Sequence, residues 1–320
     1  MVLGYKLMSE EHGARALVQN ARRAEEAGAG LLAISDHYLP WLESQRHSPY
    51  AWSVLGAIAA ETSRAEIMTA VTCPIVRYHP AIVAQAAATL ALLSEGRFLL
   101  GLGAGERLNE HVVGRGWPAV DARHAMLREA IDAIRALWSG ARVTRRGAHV
   151  TVEDARLYDL PDAAPPIVVA AGGPRAARLA AACGDGLITT VPDERIIGTW
   201  REAAGRGGAF AEVPLCWAAS ESEGVETAHR CFRFGLLGFK VLAELPNVSS
   251  FEVATEPVGR EQVREAIACG PDVERHVRQI RRYLDAGFDH LILVQAGPDQ
   301  EGFLRFFERE LSPQLERAAA

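Results

Sequence analysis

Lysine is nearly absent from this 320-residue chain. Lys6 and Lys240 are the only two, although lysine and arginine together number 34. The arginine excess reads as the codon bias of a GC-rich genome, and it makes Lys240 conspicuous. No block of like charges occurs and the net charge is −6, which excludes the basic footprint of a nucleic-acid binder. The five cysteines (Cys73, Cys183, Cys216, Cys231 and Cys269) are scattered, with no CxxC and no metal-ligand spacing. That pattern excludes a disulfide framework and predicts buried thiols in a reducing cytosol, with no metal. No stretch reaches the roughly eighteen apolar residues of a membrane span, and MVLGYKLMSEEHG lacks a signal-peptide core. A soluble, cytoplasmic protein without a membrane partner is expected. A Ser/His/Asp elbow, an HExxH and a P-loop are missing too, which removes covalent hydrolase, zincin and kinase chemistry.

What is present is a large apolar fraction, 49% of residues, arranged as short strands alternating with helical patterns. Strands are expected at 5–8, 31–35, 67–72, 97–103, 166–173, 185–190, 213–220 and 290–297. Helices are expected at 11–28, 52–62, 80–94, from an N-cap at Asp121 to Trp138, at 272–286 and at 300–316. In the 121–138 segment Leu127, Ala130, Ile131, Ile134 and Leu137 fall on one face, the stripe that packs on a sheet. Two stretches break the rhythm: about 142–165, read as a hairpin excursion, and about 222–270, read as an insertion before the last strand. Eight βα units with no linker composition predict one domain over 1–320, an α/β fold of the (β/α)8 TIM-barrel type with two insertion segments.

Active sites of such barrels form at the carboxyl ends of the strands. ISDHYLPW ends strand two, and its Asp36-His37 pair places two ionisable groups beside a buried strand. His37 is a candidate general base because imidazole titrates near neutrality. Asp36 is a candidate to fix its tautomer or to bind a cofactor, and Trp41 to wall a ring. GLGAGE ends strand four but holds Glu106 where a dinucleotide fingerprint needs its third glycine. Its glycines are read instead as letting backbone approach a flat ligand. Gly172-Gly173-Pro174 joins a strand to a helix N-terminus, whose free N–H groups and dipole favour an anion such as a cofactor phosphate.

Taken together, SDHYLPW, TAVTCPIVRYHPAIVAQAAATL, GRFLLGLGAGERLNE, RGWPAVDARHAMLREAIDAIRALWSG, PIVVAAGGP, CGDGLITT and GFDHLILVQAGPDQEGFLRFF resemble the luciferase-like family. Within it they resemble the F420-dependent oxidoreductases near the glucose-6-phosphate dehydrogenases. The resemblance covers most of the chain and is weakest over 195–270. It implies coenzyme F420, a deazaflavin hydride carrier, in the barrel mouth. It implies Asp36, Ala70, Val71, Cys73, Ala104, Gly105, Asn109, Gly172, Gly173, Arg175, Ala176 and Thr190 as coenzyme contacts. His37 would take the substrate hydroxyl proton, Glu106 would handle the ring-nitrogen proton, and Trp41 would support the transient charge. Ala70-Val71 matches a position where relatives often have a cis peptide. A homodimer is expected on the same basis.

The chain also departs from that pattern. Where sugar-phosphate members hold a lysine after strand six, this sequence reads Thr190-Val191-Pro192-Asp193, and the matching position falls on or beside Asp193, an anion that repels phosphate. Lys240 and Arg264 are the other candidate phosphate grips. The expected reaction is hydride transfer between an alcohol or carbonyl substrate, sugars and sugar derivatives included, and C5 of the deazaflavin. The alternatives are an FMN-dependent luciferase-like monooxygenase and a non-catalytic coenzyme-binding relative.

Overall fold

The structure is a computed structural model that describes residues 1–319. Eleven strands are present among them: β1 (Val2–Leu7), β2 (Leu31–Ile34), β3 (Glu66–Thr69), β4 (Phe98–Leu102), β5 (Val143–Arg146), β6 (Thr151–Ala155), β7 (Ile167–Ala170), β8 (Gly186–Thr189), β9 (Ala209–Cys216), β10 (Ala268–Cys269) and β11 (His290–Gln295). β5 and β6 form an antiparallel hairpin, as expected for 142–165. Eight of the others pair in parallel in the order β1-β2-β3-β4-β7-β8-β9-β11, and β11 returns to β1 from Val2↔His290 to Tyr5↔Leu293. That closes the (β/α)8 barrel.

Strand alternation sorts the core into two layers. Leu32 and Ile34 point outward under the helices, whereas Leu31 and Ala33 point inward with Met68, Leu99, Val168, Ile188, Phe210 and Ile292. Each fully buried side chain of this size contributes about 1.5–3 kcal/mol. Facing carbon therefore fills the lower barrel and leaves chemistry to its mouth.

Two local expectations are corrected. Asp121 is not the N-cap of its helix, which spans Val120–Trp138 behind Ala119. Asp121 stands in the first turn, where its charge still complements the helix dipole. β9 begins at Ala209 and not at Val213, because Glu212 interrupts the apolar pattern yet lies within the strand.

The 222–270 segment is helical. Residues Glu221–Phe232, Phe239–Leu242, Val248–Thr255 and Arg260–Ala266 form helices that lead into β10, which pairs with the upper half of β9. From this insertion Phe234 and Phe251 reach Trp41. Phe234 stacks on the indole at 4.9 Å and 13°, and Phe251 meets it edge-on at 5.1 Å. Sequentially distant aromatic groups thus make one wall of the barrel mouth.

Candidate active site

β2 ends at Ile34, and the chain then turns His37 over the barrel mouth. His37 Nδ1 lies 2.9 Å from Glu10 Oε1, and Nε2 lies 3.4 Å from Glu106 Oε2. The Glu10 contact has the distance of an ion pair but lies off the axis of a hydrogen bond. Burial alone would disfavour a charged imidazole. The two carboxylates outweigh it, and the His37 pKa is raised. Glu10 shows the reciprocal effect: burial pushes it up, but His37 and Lys6 bring it down to about 2. Glu106 is raised, mainly by burial and also by the Glu10 charge. The cluster therefore favours the charged imidazole and the ionised Glu10 carboxylate, while burial shifts Glu106 toward its acid form.

Trp41 meets His37 edge-to-face, with ring centroids 4.9 Å apart at 70°. Asn109 ties the loops together: Nδ2 donates to Glu106 Oε2 at 3.2 Å, while Oδ1 accepts from the Tyr38 and Leu39 N–H groups at 2.9 and 3.2 Å. Glu10 was not among the residues singled out by sequence. The signal was available, since it follows β1 as His37 follows β2.

Of the two parts expected of Asp36, the structure does not show the first. Asp36 does not orient His37, a contact made by Glu10. Its carboxylate is buried and accepts from Trp52 Nε1 (3.2 Å), Thr72 Oγ1 (2.7 Å), an Arg77 guanidinium N–H (3.1 Å) and the Tyr78 hydroxyl (3.1 Å). Four donors satisfy the group and fix the backbone on which His37 stands.

Ala70, Val71 and Ala170 pack together on the inner layer of the barrel. Ala70 and Val71 follow β3 and are joined by a cis peptide bond. Lys6, noted in the sequence only for its rarity, rises from β1 and donates to the Ala70 carbonyl at 2.7 Å and to Glu212 Oε1 at 2.5 Å. The glycines of GLGAGE make room for neighbouring backbone and side chains of the chain itself. A Cβ on Gly101 would lie 1.8 Å from the Thr69 carbonyl oxygen, and one on Gly103 would lie 2.7 Å from Val71. Gly105 takes a left-handed φ of 78°, and a Cβ there would lie 2.4 Å from Cys73 Sγ. Ala104 is half-buried beside it.

The model of the family described as luciferase-like monooxygenase matches residues 2–290. The chain belongs to the luciferase-like family. Among its relatives, the F420-dependent glucose-6-phosphate dehydrogenase of Kribbella flavida is 38% identical over 98% of both chains. The protein of the same name from Amycolatopsis mediterranei is 36% identical, again over 98% of both. A solved F420-dependent secondary alcohol dehydrogenase, in complex with an F420–acetone adduct, superposes with a TM-score of 0.90 at 29% identity. It covers 96% of this chain and 97% of its own.

The remaining residues of this luciferase-like barrel divide into two groups. Gly173 precedes the helix Pro174–Cys183, which has no side-chain cap, so its first N–H groups face outward. Gly172 is exposed beneath the ring of Phe239, and Ala176 is half-buried on the first turn. Arg175 pairs with Asp121. The Thr190 carbonyl accepts from Tyr283 OH at 3.5 Å. Asp193 caps its own helix by accepting from Arg195 N at 2.9 Å. Arg264 is engaged by Glu261 (2.7 Å) and Glu221 (3.3 Å). Lys240 is exposed on the helix whose Phe239 covers Gly172. Among the described residues neither Lys240 nor Arg264 pairs with a group of the His37 cluster.

Proposed function

We propose that this protein is an F420-dependent oxidoreductase acting on a CH–OH group, with uncharged secondary alcohols and the corresponding ketones as substrates. The observation that carries the reading is His37 held between Glu10 and Glu106 at the barrel mouth, against the Trp41 wall. The residues fit the coenzyme. Ala70, Val71, Gly103 and Ala170 offer a flat floor of small carbon groups, and the uncapped helix terminus after Gly172-Gly173 suits a phosphate. Bound there, F420 supplies a hydride acceptor and donor at C5.

The protein's own residues handle the proton. As imidazolium, His37 donates to the carbonyl oxygen of a ketone, and as imidazole it takes the proton of an alcohol hydroxyl. Glu10 stabilises the charged ring in either direction. Burial raises the Glu106 pKa and so favours its acid form, with Oε2 3.4 Å from His37 Nε2, where the group can exchange a proton with the edge of a bound ring. Trp41, Phe234 and Phe251 exclude water from this point. The same wall is aromatic and offers a polyhydroxylated sugar few hydrogen-bond partners, and Asp193 and Arg264 are committed elsewhere. These features favour an uncharged substrate over a sugar phosphate.

The chain works as one catalytic domain in the cytoplasm, where its five unpaired cysteines stay reduced. It acts as a homodimer. The helices Ala51–Glu61 and Pro80–Leu93 are apolar on nearly all sides and pack together. Their outer faces expose Ser53, Ala57, Ala60, Ile82, Gln85, Thr89, Leu92 and Leu93, with Glu61 as the sole charged residue of the pair. A helix apolar all round is normally covered, and a second copy would cover this face.

The test is a screen of secondary alcohols, glucose and glucose 6-phosphate with oxidised F420, following loss of its absorbance. Turnover of the alcohols without turnover of glucose 6-phosphate is expected. Tight binding of FMN with no affinity for F420 would overturn the assignment.

A further inference from the structure

Outside β7, the helices Val120–Trp138 and Pro174–Cys183 pack side by side and leave a groove of about 550 Å3 between them. Three arginines line it, Arg128, Arg175 and Arg178, together with His124. The groove also holds two acids, Asp121 and Glu129, but both are committed. Asp121 is paired with Arg175. Glu129 Oε2 accepts the N–H groups of His149 (2.9 Å) and Val150 (3.0 Å) from the β5–β6 hairpin. Arg128 and Arg178 are exposed and form no ion pair among the described residues. Like charges gathered in one groove repel each other, and this arrangement calls for an anion.

The position of the groove says which anion. Arg175 belongs to the first turn of the helix that begins at Pro174, immediately after the Gly172-Gly173 turn. A coenzyme whose phosphate sits at that terminus would send its remaining chain past Arg175 toward Arg128 and Arg178. F420 carries γ-linked glutamates beyond its phosphodiester, each adding a carboxylate, and a guanidinium fork matches a carboxylate in two parallel hydrogen bonds. We propose that this groove binds the oligoglutamate tail of the coenzyme. The proposal rests on the F420 reading above and assigns Arg128 and Arg178 to recognition of the tail.

The experiment is a fluorescence titration with two ligands: F420, and its ring–ribityl–phosphate portion without the tail. Wild type and the double variant R128A/R178A are compared at low and high salt. Wild type should bind F420 more tightly than the tail-less compound, with the advantage shrinking as salt rises. The double variant should bind F420 about tenfold more weakly, as two exposed charge pairs would give, and should bind the tail-less compound as wild type does. Equal affinity of both proteins for F420 would overturn the groove while leaving the ring site intact. Failure of wild type to bind either ligand would remove the coenzyme reading and the groove with it. A thermal melt of the variant that matches wild type confirms that folding is not the cause of any loss.

Discussion

Glu10 and His37, 27 residues apart in the chain, stand 2.9 Å from one another across the barrel mouth. The pairing favours the charged imidazole, the form that has a proton to donate. It also makes the protein's stability depend on pH in two directions, which the following measurements can separate.

Replacing the carboxylate, Glu10→Gln, removes the main stabiliser of the imidazolium. The His37 pKa should fall, and the alkaline limb of the pH profile for ketone reduction should move to lower pH. Steady-state kinetics across pH would show it, and an unmoved limb would dissociate Glu10 from the proton step. The stability signs follow by linkage. His37, raised on folding, stabilises fully below its unfolded value of 6.5 and loses that contribution as pH rises through its folded value. Glu10, lowered to about 2, stabilises above its unfolded value of 4.5 and loses that contribution as pH falls through 2. Denaturant midpoints of wild type should therefore decline on both sides of the 4.5–6.5 window, and those of the variant should be flatter.

His37→Asn keeps a donor near Glu10 but has no titratable proton. Turnover should drop by about 10²–10⁴, the usual contribution of a positioned acid–base group, while coenzyme affinity changes by no more than a few fold. Equal loss in binding and turnover would mean that His37 is a structural residue.

Lys6 is a buried cation held by the Ala70 carbonyl and Glu212. Lys6→Met leaves the Glu212 charge without its partner, and a loss of about 3–5 kcal/mol is expected. Adding Glu212→Gln should restore a good part of it, since the uncompensated charge is then gone. Chemical denaturation of the two single variants and the double variant completes the cycle. Simple additivity would show that the pair is not coupled.

Ile82→Asp with Leu93→Asp places two charges on the exposed apolar helix face. Sedimentation equilibrium should then report a monomer where wild type reports a dimer, with the far-ultraviolet spectrum unchanged. A variant that remains dimeric would place the interface elsewhere.

How much of this was legible beforehand differs by element. The strands β2, β4, β7 and β8 were visible as apolar runs, and their ends pointed to His37, Glu106 and Gly172-Gly173. β9 was misplaced because Glu212 looks wrong for a strand until Lys6 is opposite it. Asp36 was read as orienting its neighbour His37 or as binding the coenzyme, but a side chain beside another in sequence points away from it as readily as toward it. Four donors from residues 52, 72, 77 and 78 claim its carboxylate instead.

Periodicity and strand-end chemistry by themselves determined the barrel, its two interruptions and most of the polar groups at its mouth. These are local properties: a buried strand must be apolar, and a polar group at its end must face the rim. Which groups touch was decided only by closure of the sheet. It brought β1 beside β2, and with it Glu10 to His37. It also set Lys6 under Ala70 and laid two phenylalanines of the insertion on Trp41. Charge states follow distance and burial, and both arise between segments that the linear order keeps apart.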